Sequence, residues 1–200
     1  MLDSVSIAPV QTASSLTFSH TTSASLTDSL LLVGVALDQP DAVTSVSYGA
    51  SSLTELTTWT ADSTFVQLHV AVFYLQSPPA GTADVVISLS NPHAINAGAY
   101  SMGNVAGLPV ALGSAKARTT DPTLDIAPTT PGLVFEFLGK EANHLVTPAP
   151  TNELGWDMCG PGYARFASSF RMVDEPTTLF WTYECCPDEW ILGAVLVIPR

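Results

Sequence analysis

An alternation of apolar and polar side chains with a period of two residues constrains the fold of this chain more than any other feature. The segment HVAVFYLQSPPAGTADVVISLS, residues 69–90, carries two such runs on either side of PPAGT. Because side chains alternate between the faces of a β-strand, each run predicts a strand with one buried face and one face toward solvent or a partner. Pro79 and Gly81 suit the second and fourth positions of a type I turn, so the two strands are predicted to form a hairpin.

Similar runs recur along the rest of the chain, which has no convincing amphipathic helix. The segments 30–37 (LLLVGVAL) and 190–198 are apolar on both faces, which is typical of central strands. Turn residues in SNPHA (90–94) and in the segment 148–162 predict loops. Outside the hairpin, strands are predicted at 4–10, 15–21, 30–37, 43–48, 52–58, 96–102, 123–127, 132–138, 164–172, 177–184 and 190–198.

This succession of short strands predicts an all-β protein, specifically a two-sheet antiparallel β-sandwich of the jelly-roll-like kind. A chain of 200 residues suits one domain. The strand pattern continues without a break across Lys116, where basic residues first occur. Residues 1–200 are therefore predicted to form a single sandwich domain.

Charge excludes one large class of partners. Only 12 % of the residues are charged and the formal net charge is −12, with no Lys or Arg in residues 1–115. Nucleic-acid binding depends on Lys and Arg to neutralise phosphates, so no nucleic-acid partner is expected.

The longest apolar runs are much shorter than the ~20 residues of a membrane-spanning helix, so no membrane partner is expected either. The N-terminal MLDSVSIAPVQTASS has neither a basic segment nor an apolar core, which predicts that there is no secretory signal.

Motifs for catalysis are missing from the sequence. There is no GxSxG nucleophile elbow, no HExxH metal motif and no glycine-rich phosphate loop, so we predict neither an enzyme nor a cofactor. The four histidines, His20, His69, His93 and His144, do not have metal-ligand spacing. Glu136 alternates with two phenylalanines and is expected on a solvated strand face rather than in a groove.

The three cysteines, Cys159, Cys185 and Cys186, are too few and too clustered for a disulfide framework. The simplest interpretation is that they are small buried apolar side chains. A disulfide between Cys159 and one of the vicinal pair is the alternative. No metal site is predicted, because the neighbouring acidic residues do not make a recognisable zinc ligand set.

Four tryptophans raise the alternative of carbohydrate binding, because β-sandwich modules bind sugars by stacking them on exposed aromatic rings. Trp156, in the segment NELGWDMCGPGY, is the best candidate, and Trp59 is the second. Trp181 and Trp190 are expected in the core. The competing interpretation is that Trp59 and Trp156 only anchor loops.

Several segments, read in order, resemble a known type of sandwich. The succession LLLVGVAL, VTSVSYGASSLTEL, VFYLQSPPAGTADVVISLS and AGAYSMGNV resembles a β-sandwich family found in tailed-phage virion proteins and bacterial secreted proteins. The resemblance covers residues 28–110 well and 190–199 weakly, and its motifs are turn glycines and alternating apolar positions. The chain departs from the family pattern at Ala50, where the family has a second glycine. The resemblance implies a fold and transfers no catalytic residue.

These observations together predict a structural virion protein of a tailed bacteriophage. The chain is expected to be a capsid decoration (cement) protein that stabilises the head by lattice contacts, because charge-depleted surfaces suit large interfaces. Expected partners are the major capsid protein or other virion proteins and further copies of the same chain. The expected location is the virion, after synthesis in the host cytoplasm. The alternative is a carbohydrate-binding or adhesion module in a tail fibre or a secreted surface protein.

Overall fold

The computed structural model describes residues 2–38, 43–62, 67–141, 144–159, 164–183 and 187–200, except for the side chains of residues 156, 158, 159 and 164. Every regular element in these residues is a β-strand, and all paired strands are antiparallel. The fifteen strands are β1 (Leu2–Thr22), β2 (Leu30–Leu37), β3 (Val43–Tyr48), β4 (Ser51–Ser52), β5 (Thr54–Asp62), β6 (Gln67–Gln76), β7 (Gly81–Met102), β8 (Val110–Thr119), β9 (Thr123–Ile126), β10 (Gly132–Glu141), β11 (Val146–Pro148), β12 (Glu153–Cys159), β13 (Ala164–Val173), β14 (Thr177–Tyr183) and β15 (Asp188–Val197).

The first sheet is organised by two long strands, β1 and β7, which pair along almost their whole lengths. Register shifts between Ala8 and Gln11 and between Ala13 and Ser15 interrupt this ribbon near its middle. Such irregularities bend a strand pair, and here the sheet folds back on itself. The first half of β7 pairs with β3 and its second half pairs with β2.

The bend divides the first sheet into two half-sheets. The outer half-sheet contains β4, β3 and the halves of β7 and β1 that pair with each other at residues 81–88 and 15–22. The inner half-sheet contains the remaining halves of β1 and β7, followed by β2, β6 and β5. A five-stranded sheet has the order β12-β13-β10-β15-β8, and a small three-stranded sheet has the order β11-β14-β9.

These sheets stack as four layers around three hydrophobic cores. The first core lies between the two half-sheets, and Phe18 and Val85 meet Leu31 and Val33 there. The second core lies between the inner half-sheet and the five-stranded sheet, and includes Tyr100. The third core lies between the five-stranded and three-stranded sheets. It contains Val134, Leu138, Leu179, Trp181 and Leu192.

The antiparallel β-sandwich class is therefore confirmed, and the described residues form three sheets where two were predicted. Jelly-roll-like connectivity and the single-domain boundary stay predictions. The second core joins the two halves of the sequence, because the inner half-sheet ends at Met102 and the facing five-stranded sheet contains only strands from β8 onward.

The central strands of the two middle layers are buried on both faces. Every residue of β2 is buried, and so is β15 from Trp190 to Val197. This confirms the prediction that the apolar runs at 30–37 and 190–198 are central strands. Side chains on both faces contact a core, which explains why these segments lack a polar side.

The predicted hairpin at residues 69–90 is wrong. β6 and β7 are consecutive in sequence, but β2 lies between them in the inner half-sheet, and the first half of β7 belongs to the outer half-sheet. PPAGT therefore carries the chain from one layer to the next. β6 is also buried on both faces, with Val70 and Val72 in the second core and Ala71 and Phe73 in the first.

Two predicted loops are wrong for a related reason. SNPHA lies within β7, because the bent ribbon continues through it, and β1 likewise runs through the predicted gap at 11–14. The segment 148–162 contains β12, which pairs with β13 at the edge of the five-stranded sheet. β8 was also missed, since its small side chains do not produce a clear apolar alternation.

Trp59 provides a test of the contact between β5 and β15. Its ring packs on the backbone at Gly193, where an added Cβ atom would overlap the ring. Gly193→Ala is expected to lower the free energy of unfolding by about 1–3 kcal/mol, the range for overpacking a core. Urea unfolding measures the change. Gly107→Ala is the matched control, because no atom lies within 4 Å of its added Cβ. Equal stability of the two variants would contradict this packing.

Candidate functional site

The polar side chains that could carry chemistry are collected in buried clusters. The first cluster surrounds His20, which lies on the first-core side of β1 and is 1 % exposed. Its Nδ1 lies 2.9 Å from the Ser6 hydroxyl oxygen and its Nε2 lies 3.4 Å from the Ser4 hydroxyl oxygen. The Ser4 hydroxyl is 2.8 Å from that of Ser101, which donates a hydrogen bond to Asp3 over 2.9 Å.

A serine beside an imidazole is the arrangement used in nucleophilic catalysis. Here, however, the imidazole is buried and both ring nitrogens face serine hydroxyls, so a substrate cannot reach it unless β1 moves. Burial lowers the pKa of His20, against the opposing effect of the Asp3 carboxylate. The ring is therefore neutral at neutral pH and serves to join the two halves of β1 across the bend.

The second cluster surrounds Glu136, whose side chain is fully buried on the third-core side of β10. One carboxylate oxygen accepts a hydrogen bond from the Asn152 amide at 2.5 Å, and the other accepts from the Trp181 indole at 2.9 Å. The same Asn152 amide also donates to the Ser169 hydroxyl at 2.9 Å. The prediction that Glu136 lies on a solvated strand face is wrong, because the three-stranded sheet covers this face of β10.

Burial raises the pKa of Glu136, and the hydrogen bonds from Asn152 and Trp181 together with the charge of Arg171 reduce this increase. A carboxyl group whose pKa is raised in the folded protein binds its proton more tightly in the folded state than in the unfolded state. Its contribution to stability is complete below the unfolded pKa and is lost as the pH rises through the folded pKa. The charged form of Glu136 therefore lowers the free energy of unfolding at neutral pH.

Glu136→Gln tests this sign. The amide keeps the shape of the side chain and removes the titration, so its stability relative to the natural protein should increase as the pH rises above about 4.5. Urea unfolding between pH 4 and pH 8 measures the difference. Glu153→Gln, which removes an exposed carboxylate from the adjoining β12, is the control for the loss of one charge. A constant difference between the Glu136→Gln variant and the natural protein across this range would contradict the argument.

A third cluster neutralises buried basic groups. Lys140 is fully buried, donates hydrogen bonds to Asp188 and to the backbone oxygen of Glu141, and lies 4.1 Å from the centre of the Tyr183 ring. His144 Nδ1 lies 3.3 Å from the same Asp188 carboxylate. Buried charges persist only when they are paired in this way. This cluster is therefore saturated by its own members.

The outward face of the outer half-sheet carries mainly hydroxyl groups, unlike the buried clusters. Side chains on the outward face of the outer half-sheet alternate with those in the first core, and ten of them form a continuous array across three strands. Eight of the ten are Ser or Thr, one is an acid and one is apolar. The array contains Ser15, Thr17, Ser19, Thr21, Ser45, Ser47, Thr82, Asp84, Val86 and Ser88.

The outward face of the three-stranded sheet repeats this composition at the opposite end of the stack. Its six exposed side chains include four threonines, one acid and one aromatic residue, and again no Lys or Arg. They are Thr123, Asp125, Thr147, Thr178, Phe180 and Thr182. The two outermost faces of the described structure are therefore rich in hydroxyl groups and poor in charge.

The residues predicted for carbohydrate binding fall in different places. Trp59 is partly buried against the second core, with its ring on Gly193, as a strand anchor would be. The side chains of Trp156 and Cys159, together with Cys185 and Cys186, lie outside the described residues. The disulfide and the role of Trp156 therefore stay predictions. Trp181 and Trp190, in contrast, lie in the third core as expected.

Sequence reasoning did not single out Phe180, although the signal was present. Thr178, Phe180 and Thr182 alternate with Leu179 and Trp181, and the second pair is buried. Had the buried face been assigned from Trp181, Phe180 would have been placed on the outward face. The His20 cluster, in contrast, depends on the bend in β1 and leaves no local pattern.

Among the described residues, no three His, Cys, Asp or Glu side chains come together as a metal ion would require, and no helix is long and apolar enough to cross a membrane. Comparison of the chain with protein-family models, curated proteins and solved structures gives no match.

Proposed function

We propose that this chain is a structural virion protein of a tailed bacteriophage. Its proposed role in the virion is that of a capsid decoration protein, which contacts the major capsid protein, forms homo-oligomers and stabilises the head. The strand and turn segments that resemble virion sandwiches motivate this choice of particle. The proposed role is passive and involves no catalysis.

The observation that carries the proposal is the outer half-sheet face. An array of hydroxyl groups with one carboxylate, Asp84, loses little hydration energy when another surface covers it, because few charges must be desolvated. The hydroxyls both donate and accept hydrogen bonds, so they can pair with the backbone of a partner. The regular alternation behind this face fixes its shape, since Leu16, Phe18, Val85 and Ile87 anchor it to the first core.

Such a surface can stabilise a capsid without a strong single contact. A protein that binds only the assembled lattice stabilises it by RT ln(1 + [L]/Kd) per site, where [L] is the free concentration of that protein. Many copies on one lattice, or several contacts from one oligomer, multiply a weak individual affinity. The chain then adds stability through interface area alone.

Thr17→Lys tests this role on particles that lack the protein. The natural chain should bind the particles and raise the temperature at which they release DNA, whereas Thr17→Lys should bind at least ten-fold more weakly, because it buries an unpaired charge. Co-sedimentation and a thermal-release assay measure both effects. Thr182→Lys, on the opposite outer face, is the matched control and should retain binding. Failure of the natural chain to bind, or equal binding of the two variants, would overturn the proposal.

A specific observation also favours carbohydrate binding as a second candidate. Phe180 is 37 % exposed, pairs across the sheet with Thr123 and is flanked along its strand by Thr178 and Thr182. The Thr178 hydroxyl donates to Asp125 at 2.5 Å, and Asp125 lies on the same face of the sheet, diagonal to Phe180 in the strand register. An aromatic ring bordered by hydroxyls and one carboxylate suits the apolar face and the hydroxyl rim of a sugar.

Phe180→Ala separates this candidate from the first. If the face binds sugars, the natural chain should bind specific glycans on an array and the variant should lose that signal, because the stacking surface is gone. Capsid binding should be unchanged, since the ring lies on the other outer face. Absence of glycan binding by the natural chain, or its persistence in the Phe180→Ala variant, would contradict the sugar site.

A further inference from the structure

A fully buried lysine lies at one end of the third core. Lys140 on β10 is on the strand face that packs toward the three-stranded sheet, and its Nζ lies 4.1 Å from the centre of the Tyr183 ring at the end of β14. Trp190, its register partner on β15, is buried in the same core. A lysine amine becomes a nucleophile when it is desolvated in such surroundings.

A carboxyl group that this amine could acylate itself with is already in contact with it. Asp188 at the start of β15 lies on the same face of the five-stranded sheet, and its Oδ2 contacts the Lys140 Nζ directly. The Lys140 Nζ also donates a hydrogen bond over 2.8 Å to the backbone oxygen of Glu141, which orients the amine. Holding a nucleophile against its electrophile removes much of the entropic barrier to their reaction.

A second basic side chain lies beside this pair. Arg165 is 7 % exposed and directly opposite Lys140 in the register of β10 and β13, so both project from the same face. The Arg165 guanidinium is bound by Asp157, and the Lys140 amine is bound by Asp188. A neighbouring cation activates a lysine amine, because like charges at opposite positions of paired strands are unfavourable. Passing one proton from the ammonium to the Asp188 carboxylate gives the neutral amine and neutral acid that react.

We propose that Lys140 and Asp188 form an intramolecular isopeptide bond. The Lys140 Nζ forms a bond to the Asp188 Cγ, and the bond from that Cγ to one carboxylate oxygen breaks. The ammonium gives up two protons in all, and both leave with this oxygen as one water molecule, so the step balances without an oxidant, a reductant or a cofactor. The amide replaces two charges with a neutral group. Its remaining N–H keeps the Glu141 backbone oxygen as its acceptor.

His144 is the group that can carry a proton between the reacting atoms. Its Nδ1 lies 3.3 Å from the Asp188 Oδ2, and its side chain is 38 % exposed. The imidazole can accept a proton from the attacking amine and donate it to the leaving oxygen, as a general acid–base group does. The water that forms can leave past this partly exposed side chain. The reaction occurs once in each chain, has no external substrate and is independent of the proposed virion role.

Mass spectrometry of the full chain tests the bond directly. After unfolding, reduction and alkylation of the cysteines, the natural chain should be lighter than its alkylated sequence by the mass of one water molecule. Trypsin should release one species in which residues 119–165 are joined to residues 172–200, because it does not cleave after an acylated lysine. Reduction removes any disulfide that would join the same two peptides. A natural chain of full mass would overturn the proposal, and so would a water loss confined to one peptide.

Lys140 and Lys116, the two lysines of the chain, provide matched variants. Lys140→Arg keeps a positive charge beside Asp188, but a guanidinium is always protonated and is not a nucleophile, so this variant should have the full mass. Lys116→Arg should still lose one water, because Lys116 is exposed and donates only to the Thr60 backbone oxygen at 3.2 Å. Persistence of the cross-link in the Lys140→Arg variant, or its loss in Lys116→Arg, would overturn the assignment of Lys140.

The role of His144 is tested by the rate of the reaction. His144→Gln should form the cross-link at least ten-fold more slowly than the natural chain, because the amide does not exchange protons. The fraction of chains that have lost water, sampled at intervals after cell-free synthesis, measures both rates. Equal rates for the two chains would overturn the assignment of His144 as the proton carrier.

Discussion

Burial of two sheets on both of their faces is the constraint on which the rest of this structure depends. The inner half-sheet and the five-stranded sheet each lie between two cores, so their central strands cannot have a polar side. Apolar residues must fill both faces of these strands, which leaves few places for charge. Only 12 % of the residues are charged. Polarity is confined to the outermost faces, where hydroxyl groups supply it instead of charge.

The same constraint gives the buried polar residues their character. A polar side chain in a middle layer cannot turn to solvent, so its partners must be other protein groups, and several of them come from the neighbouring layer. Glu136 on β10 is held by Trp181 from the three-stranded sheet, and Tyr100 on β7 is hydrogen-bonded to Ser168 on the facing β13. These contacts link adjacent layers across the cores. They are structural bonds between sheets, although their residue types also occur in catalytic sites.

Sequence reasoning predicted the class of the fold and failed on the pairing of its strands. The alternation at 85–89 correctly assigned Val85, Ile87 and Leu89 to a buried face, because that face is a local property. It could not show that β6 and β7 lie apart, because the partner of a strand is set by distant segments. Glu136 illustrates the same limit, since a polar residue between two phenylalanines reads identically whether water or another sheet covers it. The hydroxyl-rich faces and Phe180 could be predicted once one buried residue of each strand was known, whereas the His20 cluster arises only where the bend brings the two halves of β1 together.

The long ribbon of β1 and β7 also affects how the protein is made. β1 is synthesised before the other described strands, and its pairing residues in β7 extend to Met102, so most of the seven-stranded sheet is synthesised before β1 has a partner. Contacts between segments so distant in sequence carry a large loop-closure cost and slow the folding of a chain. Until β7 arrives, β1 presents an open edge with no basic residue to discourage pairing with other chains. The delay between β1 and β7 is therefore a cost in folding speed that this architecture carries in return for its long central ribbon.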